Sequence, residues 1–493
     1  MSGMELPTLL TAVFLVLGGK FFLRKGFKPK GRGTTSADLE NPTQGKGAAV
    51  NKSTPINTTD RHPTTANIQI TEEFDRVGLA VQQGRSPIFV TGTAGTGKST
   101  LVHFLKATVK KRMAVVAPTG IAALNVGGQT IHSFFRFPPR PINLSEIVRL
   151  RDRSLFKALE LLIVDEVSMV RSDLLDAMER SLRLNAREKD MPFGGVQVLF
   201  VGDLFQLPPV VAKSEEAAFI GMNHRSRFFF DARCISAIPP EGIELTRVFR
   251  QDDPHFLKLL ANLRVGGNLP QVIREFNRLV DPQRPRSDRG VTLTCTNQVA
   301  NNINDEELRA LPGRPVLYEG TVSGTFNLKD AYLPSPPDLH LKAGARVMLT
   351  ANDPQKRWVN GSAGVVVKLR ENTIDVTIDG GVCTCEVEPF TWEQIAYTFD
   401  RKRGVIVAKE LGSYTQFPLR LAWAVTIHKA QGLTLEAAHV DLGNGAFDHG
   451  QVYVALSRCK SMKNLSLEKP IRLQDIRCDD VVKRFQADRF VQH

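Results

Sequence analysis

Residues 92–99 read Gly-Thr-Ala-Gly-Thr-Gly-Lys-Ser, directly after the apolar run PIFV at 87–90 and before a helical stretch opening at Thr100. The spacing fits G-x-x-x-x-G-K-[ST], a loop that belongs where a buried parallel strand ends and a helix begins. A chance glycine-rich turn would not carry those flanks. The glycines let backbone N–H groups close around phosphate oxygens, Lys98 brings a mobile charge to the β and γ phosphates, and Ser99 offers a hydroxyl to Mg²⁺. Gly92, Thr93, Ala94, Gly95, Thr96, Gly97, Lys98, Ser99 and Thr100 are therefore the expected nucleotide-binding residues.

Further short β-branched runs follow at 113–118 (MAVVAP), 161–165 (LLIVD) and 196–203 (VQVLFVGD), alternating with amphipathic stretches such as SDLLDAMERSLRL at 172–184. This alternation predicts βα units and a parallel sheet covered on both faces, an α/β fold. LLIVD delivers Asp165 and Glu166 to the sheet's C-terminal edge, the crevice where open α/β sheets bind ligands. Asp165 suits the Mg²⁺ shell, and Glu166 suits orienting and deprotonating a water. Alone, such a pair is more simply a solvated strand end; beside the phosphate loop it becomes a hydrolase site. The only Asn-Lys pair, Asn51-Lys52, continues into Ser-Thr and so does not build a guanine-reading N-K-x-D motif. A GTPase is disfavoured on that ground.

Residues 364–388 change the pattern to short strands with turns at Glu371-Asn372 and Asp379-Gly380-Gly381, a small antiparallel barrel or sheet. The α/β character returns at RLAWAVTIH and AAHVDLG, so the β module reads as an insertion in a second α/β domain. Cys383 and Cys385 alternate with Val387 on one strand face, which is packing rather than metal binding. With six cysteines and no C-x-x-C pair, neither structural zinc nor an iron-sulfur cluster is expected, and an intracellular, reducing setting fits.

The N-terminal segment stands apart. LPTLLTAVFLVLGG at 6–19 extends to Leu23 only by including Lys20, and basic residues follow. The run is marginal for a membrane span, and a candidate membrane contact through 6–23 stands beside a presequence or a dispensable extension. Residues 33–66 are polar, Gly- and Pro-containing and without periodicity, a solvated linker. Lys and Arg outnumber Asp and Glu by 64 to 51, a net +13. The residues through Ala66 hold nine basic and four acidic groups, so +8 remains downstream and the polyanion preference is not a tail effect.

Nine blocks in order resemble the PIF and RecD group of superfamily 1B DNA helicases, most of all the PIF type. They are VTGTAGTGKST (90–100), APTGIAALNVGGQTIHSFF (117–135), IVDEVSMV (163–170), PFGGVQVLFVGDLFQLPPV (192–210), LTRVFRQ (245–251), TNQVANNIN (296–304), LKAGARVMLTAND (341–353) with VNGSAG (359–364), AVTIHKAQGLTLE (424–436) and YVALSRC (453–459). The resemblance spans 70 to about 460. It implies a P-loop NTPase with two RecA-like parallel-sheet motor domains, at 67–212 and at 213–334 with 413–480, a small SH3-like β module at 335–412, and a wedge insertion near 136–156. The proline content of 136–156 also fits a plain loop. Residues 1–25, 26–66 and 481–493 would be an apolar and basic segment, a linker and a C-terminal tail.

The same resemblance gives Gln206 the sensing of the γ-phosphate and makes Arg250 and Arg458 arginine fingers from the second domain, acting with Lys98 and Glu166. It maps a DNA track onto Pro118, Thr119, Gly120, His132, Phe134, Thr296, Asn297, Thr426, His428 and Lys429. Short hydroxyl, amide and backbone donors grip phosphates without reading sequence, and an aromatic such as Phe134 stacks on any base. Core packing of the helix after APTG explains His132 and Phe134 as well. The pattern breaks at Phe74, where these helicases commonly have an adenine-reading Gln; Gln82 or Gln83 would be a displaced reader. The implied function is an ATP- and Mg²⁺-dependent helicase moving 5′ to 3′ on single-stranded DNA and opening forked DNA, in genome maintenance. The alternative is a nucleic-acid-stimulated ATPase that remodels protein or RNA complexes without unwinding. A membrane scaffold would use only residues 1–66.

Overall fold

Where the sequence offers runs of four or five aliphatic residues, the chain forms strands buried on both faces, as parallel strands between helical layers must be. The computed structural model describes residues 70–490 apart from 85, 212–213, 286–288, 327–332 and 382–383. The apolar run at 6–23, the linker at 26–66 and Cys383 lie outside the described residues. Among the described residues no helix is long and apolar enough to cross a membrane.

The first sheet comprises β1 (Ile88–Gly92), β2 (Met113–Ala117), β3 (Gln129–Thr130), β4 (Leu161–Val164), β5 (Gln197–Val201) and β6 (Glu241–Leu245), all parallel, in the order β3-β2-β4-β5-β1-β6. One face is covered by Phe74, Val77, Leu101 and Leu105 from helices Glu72–Gln83 and Lys98–Thr108. The other holds Phe134, Phe156, Leu175, Met178 and Phe229. A domain division at 212 would put β6 in the second motor domain, but it pairs along its length with β1. Its sequence, EGIEL, alternates as an edge strand does, and alternation alone does not say which sheet a strand joins.

A second parallel sheet, in the order β18-β7-β19-β20, is built from β7 (Val291–Thr294), β18 (Ala424–Thr426), β19 (Ala438–Asp441) and β20 (Leu465–Leu467). Between β7 and β18 come β8 (Val316–Glu319), β9 (Thr321–Gly324), β10 (Asp338–Leu341), β11 (Arg346–Leu349), β12 (Ala363–Leu369), β13 (Ile374–Ile378), β14 (Thr384–Val387), β15 (Phe390–Asp400), β16 (Val405–Gln416) and β17 (Leu419–Leu421). All of these pair antiparallel, in the sheets β14-β13-β12-β11-β17, β15-β16-β9 and β10-β8. The pairing thus reaches beyond 335–412 on both sides, because β8, β9 and β17 are partners of strands inside that range.

Two contacts tie distant parts to the first sheet. The long hairpin β15–β16 lies against its edge: Val115 N–H donates to the Tyr397 hydroxyl at 3.2 Å and Tyr397 N–H to Gln129 Oε1 at 3.3 Å. The described part of the expected C-terminal tail is mostly a helix, Asp480–Arg489, whose Phe485 stacks on Phe230 at 4.3 Å. Phe490, just after it, meets Phe89 at 5.8 Å. These rings need a covering partner, and the first core supplies one.

Candidate nucleotide site and track

The phosphate loop takes its shape from glycines that nothing else replaces. Gly95 has φ +89°, and a Cβ there would stand 2.6 Å from Arg250 Cβ; at Gly92 it would stand 2.6 Å from Thr96 Oγ1. Gly97 adopts the left-handed conformation and precedes helix Lys98–Thr108, so the N–H groups of the first turn face the loop. Lys98 is half-buried and donates from Nζ to the Gly92 and Thr93 carbonyls at 2.8 and 2.9 Å. Desolvation pulls its ammonium pKa down, against the attraction of Asp203 and Glu166.

Asp165 and Glu166 follow β4 directly, where the strand's C-terminal end must release them. Asp165 is 5% exposed, and burial together with the Glu166 charge pushes its carboxyl up to about 7. Glu166 has φ +48°, a conformation uncommon outside glycine that turns its carboxylate off the strand axis. Gln431 Nε2 donates to Glu166 Oε2 at 3.1 Å. Desolvation raises the Glu166 pKa, with Lys98 and Arg458 opposing.

Asp203, after β5, is fully buried and accepts from Arg264 Nε and Nη2 at 3.1 and 3.0 Å and from Gln206 Nε2 at 3.1 Å. The Tyr453 hydroxyl donates to it at 3.4 Å and itself accepts from Ala94 N–H at 3.0 Å. Asp203, Arg264, Gln431 and Tyr453 are additions to the site residues expected from sequence. Three of them sit inside the recurring blocks; Arg264, in ANLRVGG, has no local signal at all and is found only by its contact.

The two expected fingers sit differently. Arg250 does not extend from the second domain: it follows β6 of the first sheet, and the preceding Phe249 donates its N–H to Gly95 O at 2.9 Å. Its guanidinium reaches the other way, to Thr434 Oγ1 at 2.9 Å, Gly432 O at 3.2 Å and Ser457 O at 3.3 Å. Arg458 is 1% exposed and bonded to the carbonyls of Val454, Ala430 and Leu433 and to Ser457 Oγ. Burial pushes its pKa down to about 9.

Along the expected track, Pro118, Thr119 and Gly120 follow β2, while Thr296 and Asn297 follow β7. Thr426, His428 and Lys429 sit at the end of β18, which neighbours β7 with Thr426 opposite Thr294, so these two groups converge. Thr119 and Thr296 cap helices Gly120–Asn125 and Asn297–Ala310, accepting from the Ala122 and Val299 amides. Thr296 and Asn297 are exposed. Burial pulls Lys429 down to about 8 and lowers His132 and His428. Phe134 is 4% exposed and meets Phe135, Phe156 and Tyr397 edge-on at 5.0, 5.5 and 6.1 Å. In this arrangement it is a core residue and offers no face to a base.

Phe74 also fills core, at 1% exposure against Phe104, while Gln82 and Gln83 are exposed. Segment 136–156 lies packed down: Ile142 and Phe156 are buried, Phe137, Leu144 and Leu150 contact the first core, and Leu150 N–H donates to Asn185 Oδ1 at 2.8 Å. Val148 is its exposed apolar residue. Among the described residues no cluster of His, Cys, Asp or Glu has the makings of a closed metal site.

A sequence model of the PIF1-like helicase family matches residues 69–258. Over 430 residues the chain is 35% identical to human ATP-dependent DNA helicase PIF1, covering 85% of this chain and 64% of that protein. Over 394 residues it is 35% identical to ATP-dependent DNA helicase Pif1 of Bdellovibrio bacteriovorus, covering 77% and 83%. It spans about three fifths of the Xenopus laevis relative, 61%. Unliganded Pif1 from Bacteroides sp aligns with TM-score 0.78 at 37% identity, covering 85% of this chain and 97% of that one. The same protein in complex with ADP-AlF4 aligns at 0.79 and bound to ssDNA at 0.62, with 36% and 37% identity and 86% and 97% coverage in each case.

Proposed function

The chain belongs to the PIF1-like helicase family, and on that premise we propose that it is an ATP-dependent DNA helicase moving 5′ to 3′ on a single strand and opening forked duplex. One observation carries the proposal. The nucleotide site of the first sheet is held by groups from the connections between strands of the second: Tyr453 on Ala94 of the phosphate loop, Gln431 on Glu166, and Thr434 and Ser457 on Arg250. A nucleotide entering between these parts has to change their spacing, so its arrival and hydrolysis become relative movement. A one-domain kinase has no use for such a seam.

In this reading Lys98 and the loop amides of 92–100 hold the triphosphate, Glu166 accepts the proton of the attacking water, and Gln206 reads the γ-phosphate. Arg250 and Arg458 neutralise charge building on it, Arg458 after leaving its carbonyl partners. Ser99 and Asp165 would hold Mg²⁺; the adjacent carboxylates of buried Asp165 and half-buried Glu166 are the hard oxygen donors that ion prefers. When bound, the ion would offset charge on the phosphate oxygens. The strand would run along Pro118, Thr119, Gly120 and His132 to Thr296, Asn297, Thr426, His428 and Lys429, with Phe134 supporting from below. The motor division follows the two parallel sheets, with the antiparallel module inserted.

The test is ATP-driven separation of matched duplexes with a 5′ or a 3′ single-stranded tail, with Lys98→Ala as control. Unwinding of the 5′-tailed substrate alone, absent in the control, is expected. Hydrolysis stimulated by single strands without unwinding of either duplex would overturn the helicase reading in favour of a remodelling ATPase.

A further inference from the structure

The nucleotide site and track residues lie where strands end. At the opposite edge, where β2 and β4 begin, an open cavity of about 540 Å³ lies between the first sheet and the tip of hairpin β15–β16. This is within the range of about 300–1,000 Å³ typical of ligand pockets. A five-residue strand separates the two edges by ~16 Å. Six cations line the cavity: Arg112, Arg151, Arg153, Lys157, Arg187 and Arg401.

The acidic groups present are already engaged. Glu160 takes Arg112 at 2.7 Å and Arg187 at 3.5 Å. Asp152 accepts from Ser154 N–H at 2.9 Å and lies 3.6 Å from Arg401. Arg151, Arg153 and Lys157 have no ion-pair partner among the described residues. On a convex face such cations would simply be solvated; converging on a concavity, they focus a positive potential that draws anions, and an extended one can meet several of them at once. Phe399, half-buried on the hairpin, faces the same space. Cations beside a partly exposed ring are what an unpaired nucleotide strand fits, because every base has a π-face and every step a phosphate.

We propose that this cavity is a second nucleic-acid site, separate from the track, holding the backbone phosphates of a single strand against Arg151, Arg153, Lys157 and Arg401 and a base against Phe399. It rests on the nucleic-acid reading given above. Because one wall comes from helix Ser154–Ala158 and the other from the inserted module, a bound strand also ties the hairpin tip to the first sheet.

The test titrates the full chain, without nucleotide, with fluorescent oligodeoxythymidylate. Wild type is expected to show a tight event and a weaker one. Lys157→Ala with Arg401→Ala should retain the tight event and weaken the second roughly tenfold, with a salt slope shallower by about 1.4 for two lost contacts. Phe399→Ala should weaken the second event for the oligonucleotide but leave inorganic tripolyphosphate, used as a competitor, unaffected. A single event in wild type, or a second event unchanged in the double variant, overturns the proposal. Tripolyphosphate displacing the second event as well as the strand does, phosphate for phosphate, also overturns it, by making the cavity a site for free polyphosphate. Failure of wild type to bind any strand would instead remove the helicase reading.

Discussion

The Tyr453 hydroxyl accepts a hydrogen bond from the Ala94 amide at 3.0 Å, joining the phosphate loop to a residue 359 positions away in sequence. That amide is one a nucleotide phosphate would claim, so the tyrosine and the nucleotide compete for it. Tyr453→Phe should lower stability by about 1 kcal/mol by leaving the amide unpaired, and tighten ADP binding roughly fivefold because the competitor is gone. Calorimetric titration with ADP checks this; unchanged or weaker binding would show that the hydroxyl does not stand in the phosphate's place.

Glu166 receives a hydrogen bond from Gln431, which precedes β19, while facing the Lys98 charge. Glu166→Gln keeps the shape and removes the base. Single-strand-stimulated hydrolysis is expected to fall by about 10²–10⁴ with nucleotide affinity within about twofold of wild type. If affinity collapses along with turnover, the residue is holding structure rather than accepting a proton.

Arg264 and Asp203 form a buried ion pair, at 7% and 0% side-chain exposure, with the guanidinium 4.5 Å over the Phe205 ring. Arg264→Ala leaves the Asp203 charge buried without its main partner, and breaking such a pair costs about 3–5 kcal/mol. Denaturant unfolding followed by intrinsic fluorescence measures the loss; a change under about 1 kcal/mol would mean that Lys98, Gln206 and Tyr453 suffice to hold Asp203.

Glu73, in helix Glu72–Gln83, accepts from Thr246 Oγ1 at 2.7 Å, and this bond with that from Thr71 holds its carboxyl down at about 2. A depressed carboxyl contributes stability that is whole above its unfolded value near 4.5 and is lost as pH falls toward 2. Thr246→Val should therefore melt below wild type at neutral pH, with the gap closing between pH 4.5 and 2. A gap that stays constant across that window would assign the effect to packing.

Local pattern decided a good deal here. GTAGTGKS can form only one kind of loop, and its glycines are needed where φ is positive or a Cβ has no room, so the strand, loop and helix at 88–108 were legible from residues 87–100. LLIVD placed Asp165 and Glu166 at a strand end because a fully apolar run buries itself and leaves the carboxylates after it at the sheet's edge. The insertion of an antiparallel module was likewise visible in the change from helical to two-residue periodicity. Contact decided the rest. Nothing in EGIEL says that it pairs with β1, and so nothing local told that Arg250 stands on the first sheet and reaches toward the second. Phe134 reads equally as a base platform and as core until Phe156 and Tyr397 close around it. Arg264 meets Asp203 across 61 positions, and the basic cavity brings Arg401 to Arg151 and Lys157, more than two hundred positions away. A sequence fixes the period and chemistry of each segment, but which segments meet depends on how their apolar faces cover one another, and that is a property of the whole chain.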